Sequence, residues 1–239
     1  MGDREELFTG YFDSIFASSN LLTPLGYENY AREFDSYYSR FLPERKDSLI
    51  LDIGCGTGQF LYYLKKKGFE NYQGIDVSYS QIEFCKNNVT PNVEVANTFE
   101  FLEDKINTYD MISANDVIEH MPKDTIINFL ELIYQALKPG GMLLLKLPNM
   151  SNPFALNARY RDFTHECGFT EKSIYQVLYV AGFRNINIYP SLTHDRSIKG
   201  LIGKILISIF HRVLRKLFWH QGFTAPEILS SCLVVMAKK

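Results

Sequence analysis

The chain has 239 residues, 46% of them hydrophobic and 22% charged, which is ordinary globular usage and excludes a disordered or fibrous chain. Its 25 basic and 27 acidic residues leave a formal charge of -2, so no global field gathers nucleic acid and no nucleic-acid partner is expected. Four cysteines (Cys55, Cys85, Cys167, Cys232) without a CxxC pair argue against a zinc knuckle or a disulfide framework and for a reducing cytosol.

In chain order, MGDREELFTG opens with acids and has no apolar h-region, so no secretory signal is expected, and no apolar run reaches the roughly 18 residues of a membrane span. Residues 1–48 carry Tyr11, Phe12, Phe16, Tyr27, Tyr30, Phe34, Tyr37, Tyr38 and Phe41 and read as a helical cap packed over one edge of a sheet, or as a lid over a ligand. From residue 49 short apolar runs alternate with helical patterns, the signature of a parallel sheet covered on both faces. Strands are predicted at 49–53, 71–76, 92–96, 109–113, 141–147, 184–189 and 229–236. A first helix begins near Thr57 and ends in Lys65-Lys66-Lys67 before Gly68, basic residues and a glycine where a helix C-terminus favours them. Another opens at Pro122, suited to the first helical position, and runs to Leu137 before Pro139-Gly140-Gly141. Residues 148–168 lack helical periodicity and are expected to form a long loop of the kind that carries function; a helix follows at 170–181. The whole of 1–239 reads as one domain, with a cap (1–48), a core (49–193), an insertion (194–226) and a final strand (227–239).

Residues 49–58, LILDIGCGTG, run from a buried strand through a glycine turn into a helix, and glycine lets a ligand approach the backbone closely. Asp76 ends the second strand (GIDVS), where a carboxylate can accept both hydroxyls of a ribose. Both features sit at carboxyl ends of neighbouring strands, the crevice where open α/β sheets bind ligands. Cys55, inside the turn, reads as a small packing residue.

LDIGCGTG, GIDVS, YDMISANDVIEHM and ALKPGGMLLLKLPN, in that order over residues 45–190, resemble the class I S-adenosylmethionine-dependent methyltransferases. The resemblance implies an α/β, Rossmann-like seven-stranded sheet in order 3-2-1-4-5-7-6 with the last strand antiparallel. It also implies cofactor contacts from Asp52, from Gly54 and Gly56 at the methionine part, from Asp76 on the ribose, from Val77 against adenine, and from Asn115 at the methionine end. Asn97 and Thr98 stand near the adenine amine, where many members carry an acid.

Asp116, Glu119 and His120 lie at i, i+3 and i+4, on one face if that turn is helical, and His165 follows in the later loop. The pair of motifs resembles the ubiquinone-pathway catechol-type and small-RNA 3′-end methyltransferases, in which an acid-x-x-Glu-His motif and a loop histidine can hold Mg²⁺ against vicinal hydroxyls. That resemblance implies Asp116, Glu119, His120 and His165 as ligands of Mg²⁺ or Mn²⁺. Without a metal, His120, His165 or Asp116 is a candidate acid-base group; in the plainer reading, Glu119 and His120 only cap the next helix.

Residues 196–226 hold six basic side chains (Arg196, Lys199, Lys204, Arg212, Arg215, Lys216) and no acid, with apolar residues from Ile198 to Phe218 at 3.6-residue spacing. Such a helix over 196–219 suits an anionic membrane surface, a homodimer face, ordinary packing, or a phosphate-bearing substrate. NARYRDFTHE followed by this insertion resembles methyltransferases encoded with bacterial surface-polysaccharide assembly. That likeness implies O-methylation of a sugar or glycan hydroxyl, lipid-linked or not, with Arg159, Tyr160 and Arg161 on the sugar and the protein cytoplasmic or at the inner membrane face. The alternatives are a small phenolic or quinone-like acceptor, and an inactive cofactor-binding subunit of a biosynthetic complex.

Overall fold

A computed structural model describes residues 20–191 and 197–239. Seven strands, β1 (Ile50–Ile53), β2 (Tyr72–Asp76), β3 (Val93–Val95), β4 (Tyr109–Asn115), β5 (Leu137–Pro148), β6 (Arg184–Pro190) and β7 (Cys232–Lys238), form a sheet in the order β3-β2-β1-β4-β5-β7-β6. Strands β1 to β5 pair in parallel and β7 runs antiparallel to both β5 and β6, the order and direction expected. The helices are α1 (Pro24–Tyr38), α2 (Gln59–Lys66), α3 (Tyr79–Asn88), α4 (Thr98–Leu102), α5 (Ile126–Ala136), α6 (Ala155–Arg161), α7 (Glu171–Val180) and α8 (Ile198–His220), with a 3₁₀ turn at Ile118–His120.

The period of two along each strand divides the apolar side chains between two layers. Leu51, Ile53, Ile112, Leu143 and Leu145 face Phe129, Leu130 and Ile133 of α5 and Ile174 and Leu178 of α7. Ile50, Met111, Leu144 and Val234 face the other way, toward Phe60, Leu61 and Leu64 of α2 and the aromatic side of α1. The α1 rings are core. Phe34 meets Phe60 edge-on at 5.2 Å, and Tyr38 meets Phe60 at 5.6 Å. The helix therefore lies over a face of the sheet, and its Tyr38 reaches β4, a central strand; the expected packing over one edge is corrected. Tyr11, Phe12 and Phe16 lie outside the described residues.

Four boundaries move for local reasons. Helix α2 begins at Gln59 because Gly58 is left-handed, with φ +87. Helix α5 begins at Ile126 because residues 122–125 form a turn closed by Thr125 N–H on the Pro122 carbonyl at 3.0 Å. Strand β5 begins at Leu137, where it pairs with Tyr109 before a bulge, so the expected end of the preceding helix is strand. The loop expected over 148–168 contains α6, a seven-residue helix with no buried residue; with no face to bury, it leaves no periodicity to read.

Candidate active site

The glycine turn is built by close packing at β1. Gly54 has φ +66, and a Cβ there would meet Val117 Cγ2 at 2.4 Å, so only glycine lets the β4 turn come this near. Cys55 is buried with its Sγ 2.7 Å from where a Gly74 Cβ would stand, which is packing, as read. Asp76 ties the turn to β2. Its Oδ2 accepts the Gly56 N–H at 2.9 Å and its Oδ1 the Ser78 N–H at 2.8 Å. Burial raises the Asp76 pKa, opposed by the backbone donors of Ser78, Gly56 and Val77. Of the four lone-pair positions of a carboxylate, these two bonds leave others for a ligand. Asn97 Oδ1 caps α4 by accepting the Phe99 N–H at 2.9 Å. Asn115 Oδ1 accepts the Tyr38 hydroxyl at 2.5 Å, while its buried Nδ2 has no partner among the described residues.

Asp116 leaves the group expected of it. Its φ is +54, a left-handed residue that breaks the helical register before the 3₁₀ turn and aims the carboxylate at Lys146 Nζ, 2.5 Å away. Burial works to lower the Lys146 pKa, yet Asp116 first, with Cys232 and Glu33 behind it, together hold the ammonium well above its ordinary range. The remaining three side chains do converge: one ligand atom from each of Glu119, His120 and His165 lies within 4.8 Å of the others. The His120 and His165 rings meet edge-on at 4.7 Å. Neither Glu119 nor His120 caps α5, whose N-cap is Thr125.

The loop geometry fixes the histidine tautomers. Thr164 Oγ1 donates to Asp162 Oδ1 at 2.6 Å, so its contact with His120 Nδ1 at 2.8 Å must take the proton from nitrogen, which places the imidazole lone pair on Nε2. His165 Nδ1 faces the Ala158 carbonyl at 2.9 Å, an acceptor only, so Nδ1 carries a proton and Nε2 is the atom turned away from that bond. The Glu119 carbonyl accepts the N–H groups of Glu166 (2.8 Å) and Cys167 (3.0 Å), and Arg159 donates to the carbonyls of His165 and Glu166. Arg159 thus holds the loop, while Tyr160 is exposed and Arg161 lines the cavity. Burial, and then the charge of Asp116, raise the Glu119 pKa well above the carboxylate range, and both its oxygens are buried without a hydrogen-bond partner among the described residues. Burial and then His165 push the His120 pKa down to about 4, so this imidazole is neutral at pH 7.

The residues named in advance for cofactor, metal and acid-base chemistry all line one cavity of about 2060 Å³, whereas of the three named for the sugar only Arg161 does; the cavity is roughly twice the upper range of small-molecule sites and so roomy enough for a nucleoside cofactor and an acceptor together. Lys146, Asp162 and Thr164 were missed. A lysine inside the apolar run MLLLKLP was the one visible signal; the relay from His120 through Thr164 to Asp162 spans 44 residues and has no local pattern.

Asp52 is buried on β1 opposite Ser113, whose Oγ donates to it at 2.7 Å. Burial, and to a smaller degree Asp76, push its pKa up to about 7, against the Ser113 bond. The folded chain therefore holds a proton here that the unfolded chain gives up above about pH 4, so stability falls as pH rises from about 4 to about 7 and is level beyond. Asp52→Asn removes the ionisation. It is expected to raise the melting temperature of the unliganded protein at pH 8, by up to about 4 kcal/mol in stability, and to leave it unchanged at pH 4. Equal shifts at both pH values in thermal scans would contradict a charge-based cost.

A model of the methyltransferase domain matches residues 27–188. The chain is 28% identical over 200 residues to the ubiquinone biosynthesis O-methyltransferase of Rickettsia akari (strain Hartford), covering 81% of this chain and 75% of that one. Over 150 residues it is 25% identical to the phosphoethanolamine N-methyltransferase of Plasmodium falciparum (isolate 3D7), covering 59% and 55%. In fold it is similar to a SAM-dependent methyltransferase from Archaeoglobus fulgidus, with a TM-score of 0.67 at 21% identity over 99% of this chain and all of that one. With the family match spanning more than half of the residues, the chain belongs to the methyltransferase-domain family and is an S-adenosylmethionine-dependent methyltransferase.

Proposed function

We propose that the methyl acceptor is a hydroxyl of a sugar or cell-surface glycan with a second hydroxyl beside it. The observation that carries this reading is the Glu119–His120–His165 cluster opening on the cavity, two imidazoles and a carboxylate able to hold a divalent cation against adjacent oxygens. Asn152, Asn157, Arg161 and Asp162 line the same cavity, hydrogen-bonding groups that suit a saccharide better than a flat phenol. A ubiquinone-pathway relative keeps the phenolic or quinone-like acceptor as the second reading.

Methyl transfer from a sulfonium is an in-line displacement in which the acceptor oxygen forms a bond to carbon as the carbon–sulfur bond breaks, so the chain must align the two and remove the hydroxyl proton. S-adenosylmethionine, when bound, supplies the electrophilic methyl. Gly54 and Gly56 offer backbone to its methionine part, with Asp52 beneath them, and Asn115 Nδ2 offers a buried donor there. Asp76 would accept from the ribose hydroxyls, Val77 would meet the adenine, and Asn97 and Thr98 would serve its amine. A partnerless buried carboxylate is costly unless protonated or set against a cation, so Glu119 fits a metal, and neutral His120 fits a ligand role better than that of a base. With Asp116 held by Lys146 the donor set is two nitrogens and one carboxylate, which suits Mn²⁺ better than Mg²⁺. A divalent cation, when bound, lowers the pKa of the hydroxyl it contacts and fixes its orientation.

The test is turnover with radiolabelled S-adenosylmethionine against methyl glycosides and oligosaccharides with and without vicinal hydroxyls, beside catechols, with the product mapped by mass spectrometry. Methylation of vicinal-diol sugars above catechols supports the reading; exclusive transfer to catechols replaces it with the phenolic one. Calorimetry with Mn²⁺ should show one site in the wild type and none in Glu119→Gln. Equal binding by both removes the cluster from metal binding.

A further inference from the structure

Helix α8 is 23 residues long with none buried, about 34 Å of helix lying almost wholly in solvent. Ile202, Ile205, Leu206, Ile209 and Val213, spaced to share one face, are each 51 to 61% exposed. Monomeric soluble proteins rarely leave so continuous an apolar face uncovered. At about 100° per residue Lys216 shares this face, Lys199 and Arg212 flank it, and Lys204 and Arg215 lie on the opposite side; no acidic residue occurs from 197 to 226. Arg196 lies outside the described residues. Trp219 and Phe223, 74% and 62% exposed, close the helix with rings of the kind that settle at headgroup depth. Among the described residues no helix is long and apolar enough to cross a membrane.

We infer that α8 is a docking surface for an anionic lipid bilayer, lying in the interface plane with its isoleucine face down. The charge decides the occupant. A second copy of the chain would bring an acid-free helix with five basic side chains against its own kind, whereas lipid phosphates carry the opposite charge. Two contacts fix the helix in relation to the cavity. Arg215 donates to the Glu227 carbonyl at 2.6 Å, tying its second half to the segment before β7. Phe154, which lines the cavity, stacks on Phe210 with ring centres 6.2 Å apart. A bilayer bound along α8 would therefore lie beside the cavity mouth, where a lipid-linked acceptor presents its headgroup; that consequence rests on the glycan reading, and the docking does not.

The experiment is flotation of the full chain with phosphatidylcholine vesicles and with vesicles of phosphatidylcholine and phosphatidylglycerol, beside a sizing column. The expected result is binding to the anionic vesicles only. It should weaken as NaCl rises from about 0.1 M to about 1 M, where the screening length falls from about 10 Å to about 3 Å. Leu206→Glu with Ile209→Glu should lose binding at least about tenfold while its calorimetric affinity for S-adenosylmethionine is unchanged. Arg212→Ala with Lys216→Ala, which keeps a good helix, should weaken anionic binding without altering the circular dichroism. Flotation with neither vesicle, equal flotation with both, or a stable dimer that the glutamate pair dissociates would each overturn the proposal. Methylation of a soluble sugar by a chain that does not float would overturn the docking and leave the acceptor reading standing.

Discussion

Asp76→Ala is expected to weaken S-adenosylmethionine binding by about 10- to 150-fold, because a hydrogen bond to a charged group contributes roughly 1.5–3 kcal/mol and each 1.4 kcal/mol is a factor of ten. The residue has two tasks, and the measurement must separate them. Its carboxylate accepts the Gly56 and Ser78 N–H groups, so the alanine variant also frees two donors of the glycine turn. Calorimetry with S-adenosylhomocysteine and with its 2′,3′-dideoxyribose analogue does this. If Asp76 serves the ribose, the wild type discriminates strongly between the two ligands and Asp76→Ala does not. Loss of affinity for both with discrimination retained would assign Asp76 to the turn alone.

The second large effect is on turnover. Glu119→Gln, His120→Ala and His165→Ala are each expected to lower kcat by about 10²–10⁴, the usual worth of positioned acid-base or metal chemistry, with cofactor affinity within a factor of about two of the wild type, since none of the three belongs to the glycine turn or Asp76. Single-turnover assays with saturating cofactor and a vicinal-diol sugar are the measurement. Full activity in all three variants would show that the cluster is structural. Asp116→Asn should cost less than any of them, because its carboxylate faces Lys146.

The strands, the glycine turn and the place of Asp76 were readable because each rests on a local rule: apolar runs of strand length, glycines at a strand-to-helix turn, an acid at a strand end; the order of the strands in the sheet was readable only through resemblance. The convergence of Glu119, His120 and His165 was readable only through resemblance, since spacing cannot place a loop 45 residues away. Asp116 shows where spacing misleads. The i, i+3, i+4 relation presumes helical backbone, and one left-handed residue redirected the side chain to a neighbouring strand. Helix α6 was invisible for the converse reason, as its residues form a turn of helix with nothing to bury. Lys146 was visible as an oddity in a hydrophobic strand, but its partner depended on that same backbone angle.

The placement of β7 between β5 and β6 has a consequence for the order in which the molecule is made. Strand β6 leaves the ribosome before β7, the one strand it pairs with among the described residues, so through the synthesis of α8 and the segment after it β6 is an unsatisfied ribbon with no place in the sheet. Contacts between distant parts of the chain close late and slowly, and an unpaired strand edge beside an apolar helix is a hazard for association between nascent chains. Ribosome-bound chains ending at Gln221, and tethered through a linker long enough to clear the exit tunnel, should therefore be cleaved readily within 184–190 by a probe protease, and chains carrying all of β7 on the same tether should resist.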